Sequence, residues 1–429
     1  MINHAYAPLI TLAVSLLCIL STACVWSEND GTVLSTVADN GSTMQYLPID
    51  DSNFPYAGIP RVVIETENFK EIRDKETDIP AKMQIWGEKN PESPVYNLTI
   101  RGRGNSSFHA MPKYSFKLSF SEKHAFFHMP KDKKWALISY FADKTLIRNF
   151  FVNKLDRALG SEYTPRSHFV EVYLNRNYMG IYGFCETIKV SQNRVSLPKD
   201  SAFLFEKTTH VNKQKEHIIT KMGNEFEIKY PKENSDYAYE KLLQHLDSLE
   251  NLVYYEHFSK NEAFSKWINP EYFYRYYWLN EFSKNVDGKF IRSTYMTWQI
   301  GQPIKLTPIW DFDLTFGSNI EGREKVRPTG WLIKNSNVYY QVFKDKEIWG
   351  NARFYWEEHK NIFLNEIDQI DSIADLLRVA VQNEQKKWAT LSNTEFWSYK
   401  EGYHTYGEAV DSLKAWATQR YQWINNNLP

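Results

Sequence analysis

The stretch PIWDFDLTFG, residues 308–317, sets two carboxylates, Asp311 and Asp313, among Ile309, Trp310, Phe312, Leu314 and Phe316. In a strand, alternate side chains share a face, so the two acids would point together while Phe312 points away. Carboxylates about 6 Å apart repel by roughly 3 kcal/mol at an effective dielectric of about 20. A cation is therefore expected between them, and the aromatic neighbours predict that the pair is sheltered from water.

Upstream of this stretch the pattern predicts a short strand pair, 293–298 and 303–308, and before it a helix. Asn269-Pro270 is a cap followed by a first-turn proline, which opens EYFYRYYWLNEFSK. Residues 235–250 carry Tyr239, Leu242, Leu246 and Leu249 at helical spacing, and the last helix carries Leu413, Trp416, Arg420 and Trp423. The first half reads differently. Strand-like segments follow one another at 61–66, 81–86, 96–100, 114–120 and 134–140. YSFKLSF alternates strictly, with Tyr114, Phe116, Leu118 and Phe120 inward and Lys117 on the polar face. A helix then runs from Asp143, with Ile147, Phe151, Leu155 and Leu159 on one stripe and Gly160 as its stop. Residues 169–188 predict a hairpin turning at Asn175 to Asn177. The fold class expected is α+β: a mostly antiparallel sheet first, a helix-rich half second.

At 429 residues the chain is long enough for a large core, and 14 Trp, 27 Tyr and 26 Phe argue against disorder. A formal net charge of -1 excludes a global basic field for holding nucleic acid. Residues 5–23 form an apolar run ending in small residues before Cys24, so residues 1–24 are expected to be a signal peptide of lipoprotein type. Cys24 would carry the lipid anchor, holding the protein to a bacterial envelope membrane outside the cytoplasm. Residues 25–55, rich in Ser, Asn, Asp, Thr and Gly, are expected to be a flexible tether. The folded domain is expected over 56–429, divided into an N-terminal lobe at 56–207 and a helical lobe at 208–429. Cys18, Cys24 and Cys185 are the only thiols, which excludes a disulfide framework.

RGRGNSSF (101–108), PKYSFKL (112–118), KKWALISYFADKTLIRN (133–149), PRSHFVEVYLNRNYMGIYGFCETIKVSQNRV (165–195), NVDG (285–288) and PIWDFDLTFG occur in this order. In that order they resemble the CotH family of spore-coat-type atypical kinases, from about residue 59 to the C-terminus. The resemblance implies a bilobed kinase-like fold that binds ATP with magnesium and transfers the terminal phosphoryl group to a protein Ser. It implies that Asp311 and Asp313 hold the metal. Asp287 resembles the Asp that accepts the proton of the attacking hydroxyl, although an Asp-Gly pair is also an ordinary turn. Some members carry an Asn a few residues later for a second metal; here Lys289, Phe290, Ile291, Arg292 and Ser293 follow instead.

On the first half, Lys117 is the expected phosphate lysine and Glu186 its orienting partner, with Lys113 as a substitute for Lys117. Gly102 and Gly104 would let backbone approach phosphate, with Arg103 and Asn105 beside them, although a tight turn explains them equally. Arg148 would either reach the same phosphates or, with Asn149, fix the junction between the two halves. Two other classes remain open: a surface binding module with this fold and no turnover, and a metal-dependent nucleotide-sugar transferase, which also uses D-x-D.

Overall fold

The computed structural model describes residues 46–428 apart from short stretches at 105, 200, 208, 210–215, 233–235, 257, 259–260, 319–326 and 394–401. The expected leader, Cys24, most of the tether and Asn105 lie outside the described residues. Tyr46–Pro429 form one compact unit.

Seven strands of the first half close on themselves. They are β1 (Arg61–Thr66), β2 (Ile79–Trp86), β3 (Tyr96–Arg103), β4 (Ser115–His124), β5 (Asp132–Ile138), β6 (Ser167–Leu174) and β7 (Asn177–Glu186), in the spatial order β1-β2-β3-β4-β5-β7-β6. All pairs are antiparallel except β1 with β6, and that parallel pair completes a barrel. Closure removes the unpaired edges that an open sheet would present. The alternation read in β4 decides what fills the barrel: Phe116, Leu118 and Phe120 point inward onto Trp135, Tyr182 and Phe184. The β6–β7 hairpin turns at Asn175 and Arg176, both with positive φ, as a tight two-residue turn requires.

Three departures from the expected layout share one cause: packing at long sequence range. Leu47 is buried against Val63, Tyr173 and Tyr178, and Asp51 pairs with Arg61 at 2.5 Å, so the end of the expected tether covers the outside of the barrel. Strand β8 (Ala202–Lys207), assigned above to the N-terminal lobe, instead joins a second antiparallel sheet. Its partners are β9 (His217–Ile219), β10 (Glu225–Tyr230), β11 (Thr294–Gln299) and β12 (Lys305–Leu306), in the order β12-β11-β8-β10-β9. A short helix, α1 (Ser106–Ala110), follows β3. Helix α2 (Arg148–Ala158), although early in the chain, buries its predicted stripe in the same large core as the late helices.

That core surrounds α5 (Pro270–Ser283). Asn269 caps it through Tyr272 N, and every residue from Tyr272 to Ser283 is buried, as befits a helix apolar on all sides. Around it lie α3 (Asp236–Asn251), α4 (Asn261–Trp267), α6 (Asn337–Val342), α7 (Lys346–Asp368), α8 (Ile370–Asp375), α9 (Ala380–Trp388) and α10 (Tyr406–Asn427). Arg420 of α10 pairs with Glu281 of α5 at 2.7 Å, with both side chains fully buried. Thr405 and Glu408 form a capping box at the start of α10. Among the described residues, no helix is long and apolar enough to cross a membrane.

Helix α9 returns to the barrel, so a cut at 207/208 does not separate two lobes. Its Glu384 pairs with Lys113 at 2.7 Å, both fully buried, and accepts from Ile181 N at 2.7 Å. Lys113 also donates to Ile181 O, so it is committed to this joint and cannot stand in for Lys117. Removing one member of such a pair strands a buried charge. Glu384→Ala is therefore expected to lower the unfolding free energy by about 3–5 kcal/mol in chemical denaturation. Asp375→Ala, which breaks an exposed pair with Arg378, is expected to leave the transition where it was.

Candidate active site

Residues 308–318 form turns, not a strand. Asp311 and Asp313 nevertheless meet, because Asp311 adopts the left-handed backbone conformation, with φ of 72°. Such a conformation costs a non-glycine residue about 1–3 kcal/mol and persists only where neighbours enforce it. Here they do. Asn149 Oδ1 accepts from Phe312 N at 2.8 Å, and Thr315 Oγ1 donates to Phe312 O at 2.6 Å. Phe316 N donates to Ser283 O at 2.8 Å, and Ser293 Oγ donates to Asp311 Oδ2 at 2.9 Å.

The two acids lie within hydrogen-bonding reach of each other. The pair is not sheltered from water as its aromatic neighbours predict: Phe312 is buried, whereas Asp311 is exposed and Asp313 half-buried. Desolvation, then the negative charge of Asp311, pushes the Asp313 carboxyl well above the usual carboxylate range, and Asp143 adds to the effect. Among the described residues no Lys or Arg forms an ion pair with either. This is an electrostatic debt of the kind a divalent cation settles. Magnesium commonly takes one or two carboxylates and completes its shell with water and phosphate oxygens, so a pair suffices. No group of three or more His, Cys, Asp or Glu side chains fit to hold a metal occurs among the described residues.

Asp287 sits on the loop that follows α5. Lys284 ends the helix in the left-handed conformation, and Asn285 accepts from Asp287 N at 3.1 Å while donating to Asn280 Oδ1 at 3.0 Å. Gly288 is needed there, because a Cβ would lie 2.0 Å from Asn280 Oδ1. Arg292 Nε lies 3.0 Å from Asp287 Oδ1. Since the next residue, Ser293, binds Asp311, one dipeptide ties the two acidic loops together. Arg292 and Ser293 had registered in the sequence only as a departure from the second-metal pattern; no local signal marks them as a bridge.

The facing barrel strands are basic. Arg101 and Lys117 are register partners on the outer face, with Arg103 two residues along β3 and Lys134 on β5. Burial, then the charges of Arg101 and Lys134, lowers the Lys117 pKa to about 8. No ion pair claims it among the described residues. The Arg103 guanidinium lies over the Trp310 ring, 5.1 Å from its centre, which joins this basic face to the acidic turn.

Three expected roles are corrected. Glu186 does not orient Lys117: it accepts from Arg166 Nε at 3.0 Å and Nη2 at 2.9 Å. The reason is register. Lys117, Ala136 and Cys185 share one face, whereas Glu186 sits opposite Trp135, one residue on, and the pleat turns it to the other face. Arg148 is not free for phosphate. Its guanidinium, only 6% exposed, binds Asp143, Thr145 and, through Nε at 3.0 Å, Thr315 O. It clamps the acidic turn to α2, the junction role left open above. Gly102 serves packing and not phosphate, since a Cβ would lie 2.7 Å from Asp74 O and 2.1 Å from the Phe108 ring.

Asp287, Asp311, Asp313 and Arg103 are therefore brought into one region, with Lys117 on the same barrel face as Arg103. Arg148 supports it from α2, and Glu186 is turned away from it. No curated protein matches the chain. Residues 100–424 match the family model described as CotH kinase protein, and with most of its length covered the chain belongs to that family.

Proposed function

We propose that the protein is an ATP- and magnesium-dependent protein kinase with a Ser hydroxyl as acceptor, exported and lipid-anchored through Cys24. One observation carries the reading: the Asp311–Asp313 pair, without a basic partner among the described residues, is held in a strained turn, tied to Asp287 and faced by a basic strand. A structural protein gains nothing from that arrangement. The barrel would serve as the nucleotide-binding lobe and the α5-centred core as the lobe carrying the acids, a bilobed division in space though not along the chain.

Bound between Asp311 and Asp313, magnesium would neutralise phosphate charge during transfer. Lys117 and Arg103 would hold the phosphates, Lys117 as a point charge and Arg103 as a planar fork steadied by Trp310. Asp287 would accept the proton of the acceptor hydroxyl. Arg292, with Nε 3.0 Å from Asp287 Oδ1, would orient that carboxylate. The same Asp287–Arg292 pair favours a second reading, a binding module without turnover, because it occupies the base. A nucleotide-sugar transferase has no comparable support.

Asp313 supplies a stability test. Its pKa is raised on folding, so its contribution is full below the unfolded value of 3.8 and is lost as pH rises towards the folded value. At pH 7 without divalent cation, Asp313→Asn is expected to melt at a higher temperature than the wild type. With magnesium and ATP the order should reverse, because only the wild type gains from the ligand. Asp287→Asn is expected to keep ATP affinity within a few-fold and to lower phosphoryl transfer by about 10²–10⁴-fold. Loss of binding with it would remove Asp287 from the base role, and a wild type that binds ATP without transfer would establish the silent module. For Lys117, ATP affinity is expected to weaken as pH rises above about 8, where the ammonium of the free protein loses its proton. Lys117→Arg should flatten that loss, as read by calorimetric titration across pH.

A further inference from the structure

Asn149 meets the acidic turn with one half of its carboxamide and leaves the other half idle. Its Oδ1 accepts from Phe312 N, the peptide nitrogen between the two acids, at 2.8 Å. A backbone N–H can bond only the oxygen end of an amide, so this contact fixes which way the carboxamide is turned. Nδ2, which carries two donor hydrogens, is thereby set beside the same turn. It makes no hydrogen bond among the described residues. Nor is it one of the buried polar atoms that lack a partner, and Asn149 is half-buried, so solvent reaches it.

The neighbouring donors are already committed. Arg148, one position earlier, gives its guanidinium to Asp143, Thr145 and Thr315 O. Ser293 Oγ donates to Asp311 Oδ2. Nδ2 bonds neither acid, and an amide nitrogen cannot ligate a cation. It can only donate. A donor beside a pair of acids complements an oxygen anion that arrives with their cation, not the cation itself.

We infer that Asn149 Nδ2 donates to a phosphate oxygen of the bound nucleotide, which makes Asn149 a ligand-binding residue as well as a clamp on the turn. The inference rests on the reading of this region as a site for ATP with magnesium. Helix α2 packs in the core that also holds Phe312 and Phe316, whereas Lys117 and Arg103 stand on the barrel. The phosphates are thus held from both halves of the fold, by charged donors on one and by a neutral donor on the other.

Asn149→Asp isolates the donor, because its carboxylate still accepts from Phe312 N but offers no N–H. Asn149→Ala removes both halves. Each is compared with the wild type by calorimetric titration, with magnesium chloride alone and with ATP and magnesium together. Asn149→Ala is expected to lose at least about tenfold more affinity for ATP with magnesium than for magnesium alone. Asn149→Asp is expected to keep its magnesium affinity and to lose ATP affinity by a similar factor. The side-chain amide signal of Asn149 in NMR, identified by its absence from the spectrum of either variant, separates a direct bond from repulsion by the new carboxylate. In the wild type its protons should move downfield and exchange more slowly with ATP and magnesium, and not with magnesium alone. Three results would each overturn the inference and leave the nucleotide site standing: ATP affinity of Asn149→Asp within about twofold of the wild type, equal losses of magnesium and ATP in Asn149→Ala, or an amide signal unmoved at saturating ATP. A wild type that binds no ATP would remove the reading of the site and the inference with it. Should Asn149→Asp not fold, the wild-type amide signal decides.

Discussion

Arg148 is the joint on which the acidic region depends. Its guanidinium is shared between Asp143, at the start of the α2 segment, and the carbonyl of Thr315, in the turn that follows the two acids. Asn149, the next residue, takes Phe312 N. Two successive side chains of one helix therefore clamp both ends of the turn that forces Asp311 into a left-handed conformation. Such a buried cation is costly to desolvate, and Asp143 beside Nη1 with the Thr315 carbonyl on Nε offsets that cost. The strain at Asp311 is sustained by the same contacts.

The balance of charge across the region follows from where compensation is present and where it is withheld. Asp143, Asp156, Glu281, Glu186 and Glu384 each have a basic partner within the fold. Asp311 and Asp313 have none among the described residues, and Lys117 likewise has no acid. Folding thus leaves a negative pair on one side and a positive row on the other. A polyanion with a divalent cation would meet both at once, and the proposed nucleotide with magnesium is a ligand of that kind.

Much of the fold was legible because it rests on periodicity. The alternation of β4, the stripe on α2, the Asn269-Pro270 start of α5 and the turn at Asn175 each depend on nearest neighbours along the chain. Barrel closure was not legible, since the parallel β1–β6 pair brings together segments over a hundred residues apart without any local mark. The fate of β8 was likewise hidden: a short apolar strand does not announce which sheet it will join. Among the candidate site residues, Asp287, Asp311, Asp313 and Arg103 converged, and Lys117 took its expected face. Glu186 failed through a one-residue register difference, and Arg148 was claimed by a carbonyl from residue 315.

The order of motifs from Arg101 to Gly317 determined the family, and the local patterns determined which segments are strands and which are helices. Only the tertiary structure decided which charges are matched. Sequence spacing states where a carboxylate lies along the chain, but its ionisation depends on distance to other charges and on access to water, and packing sets both. Asp313 and Glu384 are both simply acids along the chain. Lys113 meets Glu384, no Lys or Arg among the described residues meets Asp313, and that difference separates a structural joint from a candidate metal ligand.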